Sequence, residues 1–209
     1  GEIPRYRLLS REELVEGARR AKNAGAWKYC IVTSTRGPDD RQLDVVCSAV
    51  KEIRRGAGIR VCASLGILDP GQAERLRKAG LDQFNHNLET SARRFAEICT
   101  THAYEDRVRT IGHLQESGIE VCCGGIVGMG ETDEDRVDLA FELRRLKVAS
   151  IPINFLDPRP GTPMERTPPL DPKHALRILC MMRFVNPTPD IRAAGGREAV
   201  LRALQPLVL

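Results

Sequence analysis

A repeated unit constrains the fold of this chain more than any other feature of the sequence. A charged amphipathic segment with helical spacing typically ends in a small residue and a glycine, and a short apolar segment follows at once. Glycine after the last helical turn adopts the left-handed conformation that ends a helix, so each unit predicts a helix followed by a strand. The predicted strands span residues 27–32, 58–65, 81–87, 119–122, 150–155 and, more weakly, 190–194.

Two helix starts are also marked. Ser10 with Glu13, and Thr132 with Asp135, have the spacing of a capping box, in which the two side chains satisfy free amides at the start of a helix.

Strands that alternate with helices predict a parallel sheet with right-handed crossovers. Such a sheet is either an open doubly wound sheet or most of a closed barrel.

Polar residues recur at similar places on the predicted strands, and this recurrence favours the barrel. In a barrel, alternate side chains of each strand point inward, so residues at matching places on successive strands converge. We therefore predict an α/β chain folded as an incomplete TIM-type (β/α) barrel over residues 1–209, with about six of the eight strand–helix units present. The recurring polar residues are Cys30, Cys62, Asn85 or Asn87, Cys122, Asn154 and Arg192.

Thiol groups are unusual in a barrel interior, which is normally filled by branched aliphatic side chains. Thiolates bind soft metals and iron–sulfur clusters, and ligands on separate strands suit a cluster inside the barrel better than a zinc knuckle. The alternative is that the three strand cysteines are small core residues, as free cysteines often are. That core interpretation is favoured for Cys47, Cys99 and Cys180, which fall in helical stretches. An interior Arg192 needs an anionic or electron-rich partner, because it cannot lose its charge.

The composition narrows the class of protein. Of the 209 residues, 42% are hydrophobic and 29% are charged, and no apolar run approaches the roughly 18 residues needed to cross a membrane. Seven cysteines, an odd number, favour reduced thiols in the cytoplasm over a disulfide framework. The net charge is +4, the basic residues are interspersed with acidic ones, and only 4% of the residues are aromatic. We therefore expect a cytoplasmic protein that binds neither membrane nor nucleic acid.

Residues 122–132 predict a strand, a glycine-rich turn and a helix start. Glycine allows the backbone to approach a ligand closely, and a helix start favours anions, so a small molecule is expected at the end of this strand. The alternative is a tight β–α turn without a ligand. The segment does not match a P-loop, because the Lys-Ser/Thr ending is missing.

A polar hexad at residues 85–90 ends the third predicted strand. Asparagine side chains can bind an amide or a urea through two hydrogen bonds, and Glu89 is placed to bind a ribose or another diol. The alternative is a loop that caps the next helix through Thr90 or Ser91. Arg107 begins a helical face after Tyr104, and its alternative explanation is surface pairing with Glu105 or Asp106.

Together these segments resemble the biotin synthase family of radical S-adenosylmethionine (SAM) enzymes, and the resemblance covers essentially the whole chain. The phrases that carry it are YC at 29–30, CASLG at 62–66, NHNLETS at 85–91, CCGGIVGMGET at 122–132, IPINFL at 151–156, GTP at 161–163 and IRAAGGRE at 191–198.

The resemblance implies a role for each matching residue. A 2Fe–2S cluster inside the barrel, the candidate sulfur donor, would be bound by Cys30, Cys62, Cys122 and Arg192. The ureido ring of dethiobiotin would be bound by Asn87 and Asn154, with Asn85 beside them. SAM would contact Glu89 and Arg107, and its adenosine site would be shaped by Gly124, Ile126, Gly128 and Glu131. No role is implied for Cys47, Cys99, Cys123 or Cys180.

The implied reaction is the conversion of dethiobiotin to biotin by a sulfurtransferase of the radical SAM class. A 4Fe–4S cluster reduces SAM, the resulting radical takes hydrogen from two substrate carbons, and the inner cluster provides sulfur. The family's Cys-x₃-Cys-x₂-Cys motif, which binds the 4Fe–4S cluster, does not occur in this sequence. We therefore expect a chain truncated at both ends, with the 4Fe–4S ligands outside it, and inactive by itself.

The resemblance also implies a homodimer and an electron donor such as flavodoxin or ferredoxin. Two alternatives stay open. One is a related radical SAM enzyme with another substrate, such as a hydrogenase maturase or methylornithine synthase, which the three strand cysteines together with Arg192 weigh against. The other is a non-catalytic barrel that only binds iron–sulfur or a ligand.

Overall fold

The computed structural model describes residues 7–208, in which helices and strands alternate along most of the chain. The elements are α1 (Arg11–Asn23), β1 (Lys28–Val32), α2 (Asp40–Gly56), β2 (Arg60–Ser64), α3 (Pro70–Ala79), β3 (Gln83–Asn85), α4 (Ala92–Ile98), α5 (Tyr104–Glu116), β4 (Glu120–Cys122), β5 (Gly125–Val127), α6 (Asp133–Arg145), β6 (Ser150–Phe155), α7 (Pro172–Val185), β7 (Asp190–Ala193), α8 (Arg197–Leu201) and a 3₁₀ helix (Arg202–Val208).

The strands belong to one sheet in the order β1-β2-β3-β4-β6-β5, and β7 pairs with β6. The pairings of β1 with β2, β2 with β3, β4 with β6, β5 with β6 and β6 with β7 are parallel. The predicted α/β fold with a parallel sheet is therefore confirmed. The predicted capping boxes at Ser10 and Thr132 are confirmed as well.

One prediction for this sheet was incomplete, because residues 125–127 form a strand instead of a turn. Cys122 pairs with Ser150 and Gly125 pairs with Ile153, so β4 and β5 run along β6 in one continuous register. Gly124 lies between them, and a Cβ there would come 1.9 Å from the carbonyl oxygen of Pro152. Glycine thus lets the backbone pass β6 closely, where the sequence alone indicated a turn.

The described residues divide into two compact units. The first comprises residues 7–86 and 106–121, with β1 to β3, α1 to α3 and most of α5. The second comprises residues 87–105 and 122–208, with β5 to β7, α4 and α6 to α8. Strand β4 passes from the first unit to the second after Val121. A single domain over residues 1–209 stays a prediction.

In the first unit, side chains of β1 alternate between two environments. Tyr29 points toward α1, since a Cβ on Gly17 would come 2.5 Å from the Tyr29 hydroxyl oxygen, and Ile31 is buried. Successive side chains of a strand point to opposite faces. Cys30 therefore lies on the face of β1 that is turned away from α1.

In the second unit, β6 shows the same alternation. Ile151, Ile153 and Phe155 are buried, and Leu139 of α6 reaches the same side, where its Cδ2 would be 2.8 Å from a Cβ on Gly125. The helices thus cover one face of β6. The opposite face carries the alternate residues Ser150, Pro152 and Asn154.

The cysteines expected in the helical core behave differently from one another. Cys47 is buried in α2, which confirms the prediction for that residue. The prediction is wrong for Cys180, which is exposed on α7 because Ile178, Leu179 and Met182 occupy the buried side of that helix. Cys99 is half-buried at the end of α4.

No helix within residues 7–208 combines the length and the apolar character that crossing a membrane requires.

Candidate functional site

Strands β1 and β2 bring two cysteines to matching positions. They pair residue for residue, and Cys30 stands opposite Cys62. Register partners on parallel strands point to the same side of the sheet, so both thiols lie on the face turned away from α1. Asn85 of β3 joins them, with its Nδ2 3.3 Å from the Cys30 sulfur. Cys30 is exposed and Cys62 is buried.

The second unit assembles another group on one face of its strands. Cys122 pairs with Ser150 and Arg192 pairs with Pro152, so both side chains lie on the face of β6 opposite the one that Leu139 of α6 contacts. The Arg192 Nη2 donates to the Cys122 sulfur over 3.5 Å. A guanidinium keeps its positive charge at neutral pH, so this contact places a permanent cation beside the Cys122 sulfur.

The donor chemistry of both groups fits an iron–sulfur cluster. Thiolates are the usual ligands of such clusters, and a guanidinium compensates negative charge beside them. Among the side chains of residues 7–208, no three His, Cys, Asp or Glu groups are gathered closely enough to hold a single metal ion. Ligation of one cluster by Cys30, Cys62, Cys122 and Arg192 therefore stays a prediction.

Two asparagines of the second unit are oriented by backbone groups. The Asn87 Oδ1 accepts a hydrogen bond from the Gly124 amide at 3.1 Å. The Asn154 Oδ1 accepts from the Gly195 amide at 2.9 Å, and its Nδ2 donates to the Gly125 carbonyl at 3.3 Å. These contacts hold each side-chain amide in one orientation, which is what recognition of a urea or an amide requires.

Glu89 is held by its backbone against the strand β5. Its amide donates to the Gly124 carbonyl at 3.3 Å, and its carbonyl accepts from the Ile126 amide at 2.8 Å. Its φ of 70° lies in the left-handed region, which is uncommon for a residue with a side chain. A Cβ on Gly125 would come 2.5 Å from the Glu89 carbonyl oxygen, so glycine is needed at this close approach. Arg107 lies in the first turn of α5, in the first unit.

The loop 128–131 is organised by the carboxylate of Glu131. The amides of Gly128 and Met129 each donate to this carboxylate at 2.7 Å. The Arg136 Nε donates to it at 2.8 Å, and the Glu131 and Arg136 side chains are only 2% and 10% exposed. The Glu131 carboxylate thus binds the amides of its own loop and the Arg136 guanidinium. It would shape an adenosine site through the conformation of the loop.

Sequence reasoning missed several residues that hold these segments in place. Arg136 was not singled out, although it forms a buried ion pair, and Ser91 and Asp135 were read only as helix caps. The Ser91 hydroxyl also donates to the Asp135 carboxylate at 2.7 Å, and Arg94 donates to the Met129 carbonyl at 3.0 Å. Both contacts join segments more than thirty residues apart. No local signal in the sequence could have found them.

The surroundings of Asp135 lead to a prediction about acid stability. Hydrogen bonds from Ser91 and from the Thr132 backbone hold the pKa of Asp135 well below its usual range. A carboxyl group with a lowered folded pKa contributes stability above its unfolded pKa of about 3.9, and this contribution disappears as pH falls toward the folded value. We expect the difference in Tm between wild type and Asp135→Asn to shrink as the pH is lowered below about 4.

Thermal unfolding between neutral and acidic pH measures that difference. Asp138→Asn, at an exposed position on the same helix, is the control for the loss of one charge. A Tm difference for Asp135→Asn that is the same at neutral pH and at pH 3 would contradict the prediction.

Two family models match this sequence. The model described as the Radical SAM superfamily matches residues 1–143, and the model described as the Biotin and Thiamin Synthesis associated domain matches residues 152–209.

Curated relatives cover nearly all of the chain. The biotin synthase of Anoxybacillus flavithermus is 49% identical over 207 residues, which are 99% of this chain and 63% of the relative. The biotin synthase of Bacillus subtilis is 48% identical over 207 residues, 99% of this chain and 62% of the relative. That of Salinibacter ruber is 50% identical over 204 residues, 98% of this chain and 57% of the relative. The chain thus spans less than two thirds of the length of these relatives.

Solved structures share the fold. Methylornithine synthase (PylB) is similar with a TM-score of 0.80 and 21% identity, over 97% of this chain and 61% of that chain. The [FeFe]-hydrogenase maturase HydG from Carboxydothermus hydrogenoformans is similar with a TM-score of 0.78 and 19% identity, over 92% of this chain and 48% of that chain. At such identities the similarity concerns the fold alone.

Proposed function

The chain belongs to the radical SAM superfamily, and we propose that within this superfamily it is the part of a biotin synthase that binds the inner cluster and the substrate. The observation that carries the proposal is the placement of thiols on the strand faces opposite those that contact α1 and α6. Cys30 stands in register with Cys62 in one unit, and Cys122 accepts a hydrogen bond from Arg192 in the other. A barrel interior without a cluster would be expected to carry branched aliphatic residues at such positions.

SAM and iron–sulfur clusters, when bound, supply the abstraction of hydrogen from carbon and the sulfur that enters the product. The protein's own residues would bind these groups and orient the substrate. We propose that the four ligands of the 2Fe–2S cluster are Cys30, Cys62, Cys122 and Arg192. The 4Fe–4S cluster is a different case, because the cysteines of this sequence contain no Cys-x₃-Cys-x₂-Cys, and no residue here is assigned to it.

Arg192 has a particular part in this proposal. Its guanidinium only donates hydrogen bonds and keeps its positive charge, so beside Cys122 it would compensate the negative charge of an anionic group bound there. Lysine would provide a charge but not the planar set of donors. The 3.5 Å contact with the Cys122 sulfur supports this role.

The substrate and SAM are assigned to groups that the backbone holds in place. Asn87 and Asn154, with their amides oriented by glycine backbone groups, would bind the ureido ring of dethiobiotin, and Asn85 would lie beside them. SAM would be bound through Glu89 and Arg107 and through the segment that contains Gly124, Ile126, Gly128 and Glu131.

The properties of the whole protein belong to the same proposal. It would be a sulfurtransferase in the cytoplasm, a homodimer, and the acceptor of electrons from a flavodoxin or a ferredoxin. These features follow from the similarity to biotin synthases.

A direct assay tests the proposed function. The full-length protein, reconstituted anaerobically with iron and sulfide, is expected to form biotin and 5′-deoxyadenosine from dethiobiotin, SAM and a reductant. Deoxyadenosine without biotin would indicate a radical SAM enzyme with another substrate. Neither product from a protein with a full iron content would indicate a non-catalytic barrel.

Gly195→Ala is expected to weaken the binding of dethiobiotin selectively. A Cβ at this position would come 3.0 Å from the Asn154 Oδ1, so the amide would have to turn away from its present orientation. Loss of one well-oriented hydrogen bond corresponds to about 1 kcal/mol, or roughly a fivefold rise in KM for dethiobiotin. Steady-state kinetics with dethiobiotin as the varied substrate measures this change.

Gly112→Ala is the matched control for that experiment. Apart from its chain neighbours and the backbone of its own helix, no atom of residues 7–208 lies within 4 Å of a Cβ built at Gly112, which is in the middle of α5. This variant should keep the KM for dethiobiotin and gain about 0.5–1 kcal/mol of stability, because alanine is the better helix former. An unchanged KM in Gly195→Ala would contradict the role given to Asn154.

A further inference from the structure

The starts of helices α4 and α6 in the second unit are both capped by side chains. The Ser91 hydroxyl accepts a hydrogen bond from the Arg94 amide at 3.2 Å at the start of α4. Thr132 and Asp135 form the capping box of α6, in which the Asp135 Oδ2 accepts from the Thr132 amide at 2.9 Å and from its hydroxyl at 2.7 Å. Each cap by itself satisfies only its own helix.

Asp135 joins the two caps. Its Oδ1 accepts a hydrogen bond from the Ser91 hydroxyl at 2.7 Å and a second from the Arg93 Nε at 3.2 Å. The Asp135 side chain is only 6% exposed, so water competes little for these contacts. One carboxylate thus accepts from donors of both helix starts, which a capping box does not require.

A second contact connects the same two regions. The Arg94 Nη2 donates to the Met129 carbonyl at 3.0 Å. The next residue, Gly130, has a φ of 85°, and a Cβ there would come 3.3 Å from the same Arg94 nitrogen. The first turn of α4 therefore contacts the loop 128–131 as well as the start of α6.

The joined segments are the two that the proposed function assigns to SAM. Glu89 lies two residues before Ser91, and the loop 128–131 ends directly before Thr132. Upstream, backbone hydrogen bonds tie Glu89 to Gly124 and Ile126. Downstream, the Ser91–Asp135 hydrogen bond ties the residues after Glu89 to the start of α6. The turn that carries Glu89 is thus attached to the glycine-rich segment at both of its ends.

We propose that Asp135 is a positioning residue for SAM, which acts through Ser91 to hold Glu89 at a constant place relative to the loop 128–131. The inference rests on the proposed function only in taking SAM as the ligand of these segments. Asp135 makes no contact with the ligand in this proposal. Its effect should therefore be seen in the affinity for SAM and much less in the affinity for dethiobiotin.

Asp135→Asn is the variant that tests this role. The asparagine keeps the size of the side chain but turns an NH₂ group toward one of the donors that now meet a carboxylate. With the full-length, reconstituted protein, we expect the Kd for SAM to rise about tenfold and the Kd for dethiobiotin, at saturating SAM, to change less than twofold. Equilibrium binding of each compound under anaerobic conditions gives both values.

Asp138→Asn is the matched control on the same helix. Asp138 also accepts from Arg93, at 3.0 Å, but its side chain is 56% exposed and it is absent from the caps of α4 and α6. Its replacement should leave both Kd values unchanged. A Kd for SAM that rises equally in Asp135→Asn and Asp138→Asn would overturn the proposal, as would a Kd within twofold of wild type in a folded Asp135→Asn.

Ser91 provides the second arm of the test. Ser91→Ala removes the hydroxyl that donates to Asp135, and Ser91→Thr keeps a hydroxyl. We expect a raised Kd for SAM in the alanine variant and a return toward wild type in the threonine variant. In the Ser91→Ala background, Asp135→Asn should have a smaller effect than it has alone, since the two residues act through one contact. Fully additive effects of the two changes would contradict the proposed connection.

These outcomes are separable from a failure of the proposed function. A wild-type protein that binds SAM but forms no biotin contradicts the proposed substrate, while the comparison of SAM affinities still decides the role of Asp135.

Discussion

Replacing Cys62 by alanine is expected to abolish biotin formation while 5′-deoxyadenosine is still produced from SAM. Cys62 is 3% exposed and stands in register with Cys30, so no other thiol of the described β2 can take its place. Loss of groups that only support a metal ligand already costs 10–100-fold, so loss of a ligand should lower the rate of biotin formation by more than about 100-fold. Quantifying biotin and 5′-deoxyadenosine from one reaction, together with the iron content of the protein, shows whether biotin formation is lost while 5′-deoxyadenosine formation continues.

Cys47→Ala is the control that separates ligation from burial. Cys47 is also buried, but it lies in α2 among core residues, and burial raises the pKa of its thiol, as expected for an inert cysteine. Its replacement should cost some stability and leave biotin formation close to wild type. Biotin formation at the wild-type rate in Cys62→Ala would refute the assignment of Cys62 as a cluster ligand. Equal loss in both variants would trace the effect to general disruption of the core.

The fold was predictable because its signals are local. Capping boxes and left-handed glycines act within one turn of helix, and Gly25, Gly58, Gly80 and Gly118 all have a positive φ at the junctions where strands were expected. The glycine-rich segment was harder to interpret. Gly124 and Gly125 are required by close approach to Pro152 and Glu89, and such a requirement depends on neighbours that are distant in the sequence.

The candidate site was predictable to the extent that strand register determines it. Residues at matching places on parallel strands share a face, which was enough to group Cys30 with Cys62. The sequence could not show that the Glu131 carboxylate would bind the amides of its own loop, because that depends on the path of the backbone. Nor could it show that Asp135 serves two helices, since the Ser91 contact bridges separate segments.

Glu131→Gln is expected to destabilise the protein, by about 2–3 kcal/mol, because the buried Arg136 loses one of its two carboxylate partners and keeps only its ion pair with the exposed Asp133. The Arg136 side chain is 10% exposed, and its Nε donates to Glu131 over 2.8 Å. The amides of Gly128 and Met129 would also lose part of a shared acceptor. Denaturant unfolding of wild type and variant gives the free energy of unfolding. Glu134→Gln, at a side chain that is 84% exposed, should change it by less than about 0.5 kcal/mol.

A double variant distinguishes the effect of removing Glu131 alone from the effect of removing both members of the Glu131–Arg136 ion pair. Replacing one member of a buried ion pair is costly, whereas replacing both with groups of similar volume removes the uncompensated charge. Glu131→Gln combined with Arg136→Met should therefore be more stable than Glu131→Gln alone, even though it carries more changes. The loop 128–131 would still lack its carboxylate, so the affinity for SAM should stay low in the double variant after stability has partly returned. If stability and SAM affinity recover together, Glu131 serves the fold only; if stability alone recovers, its carboxylate shapes the loop for the ligand.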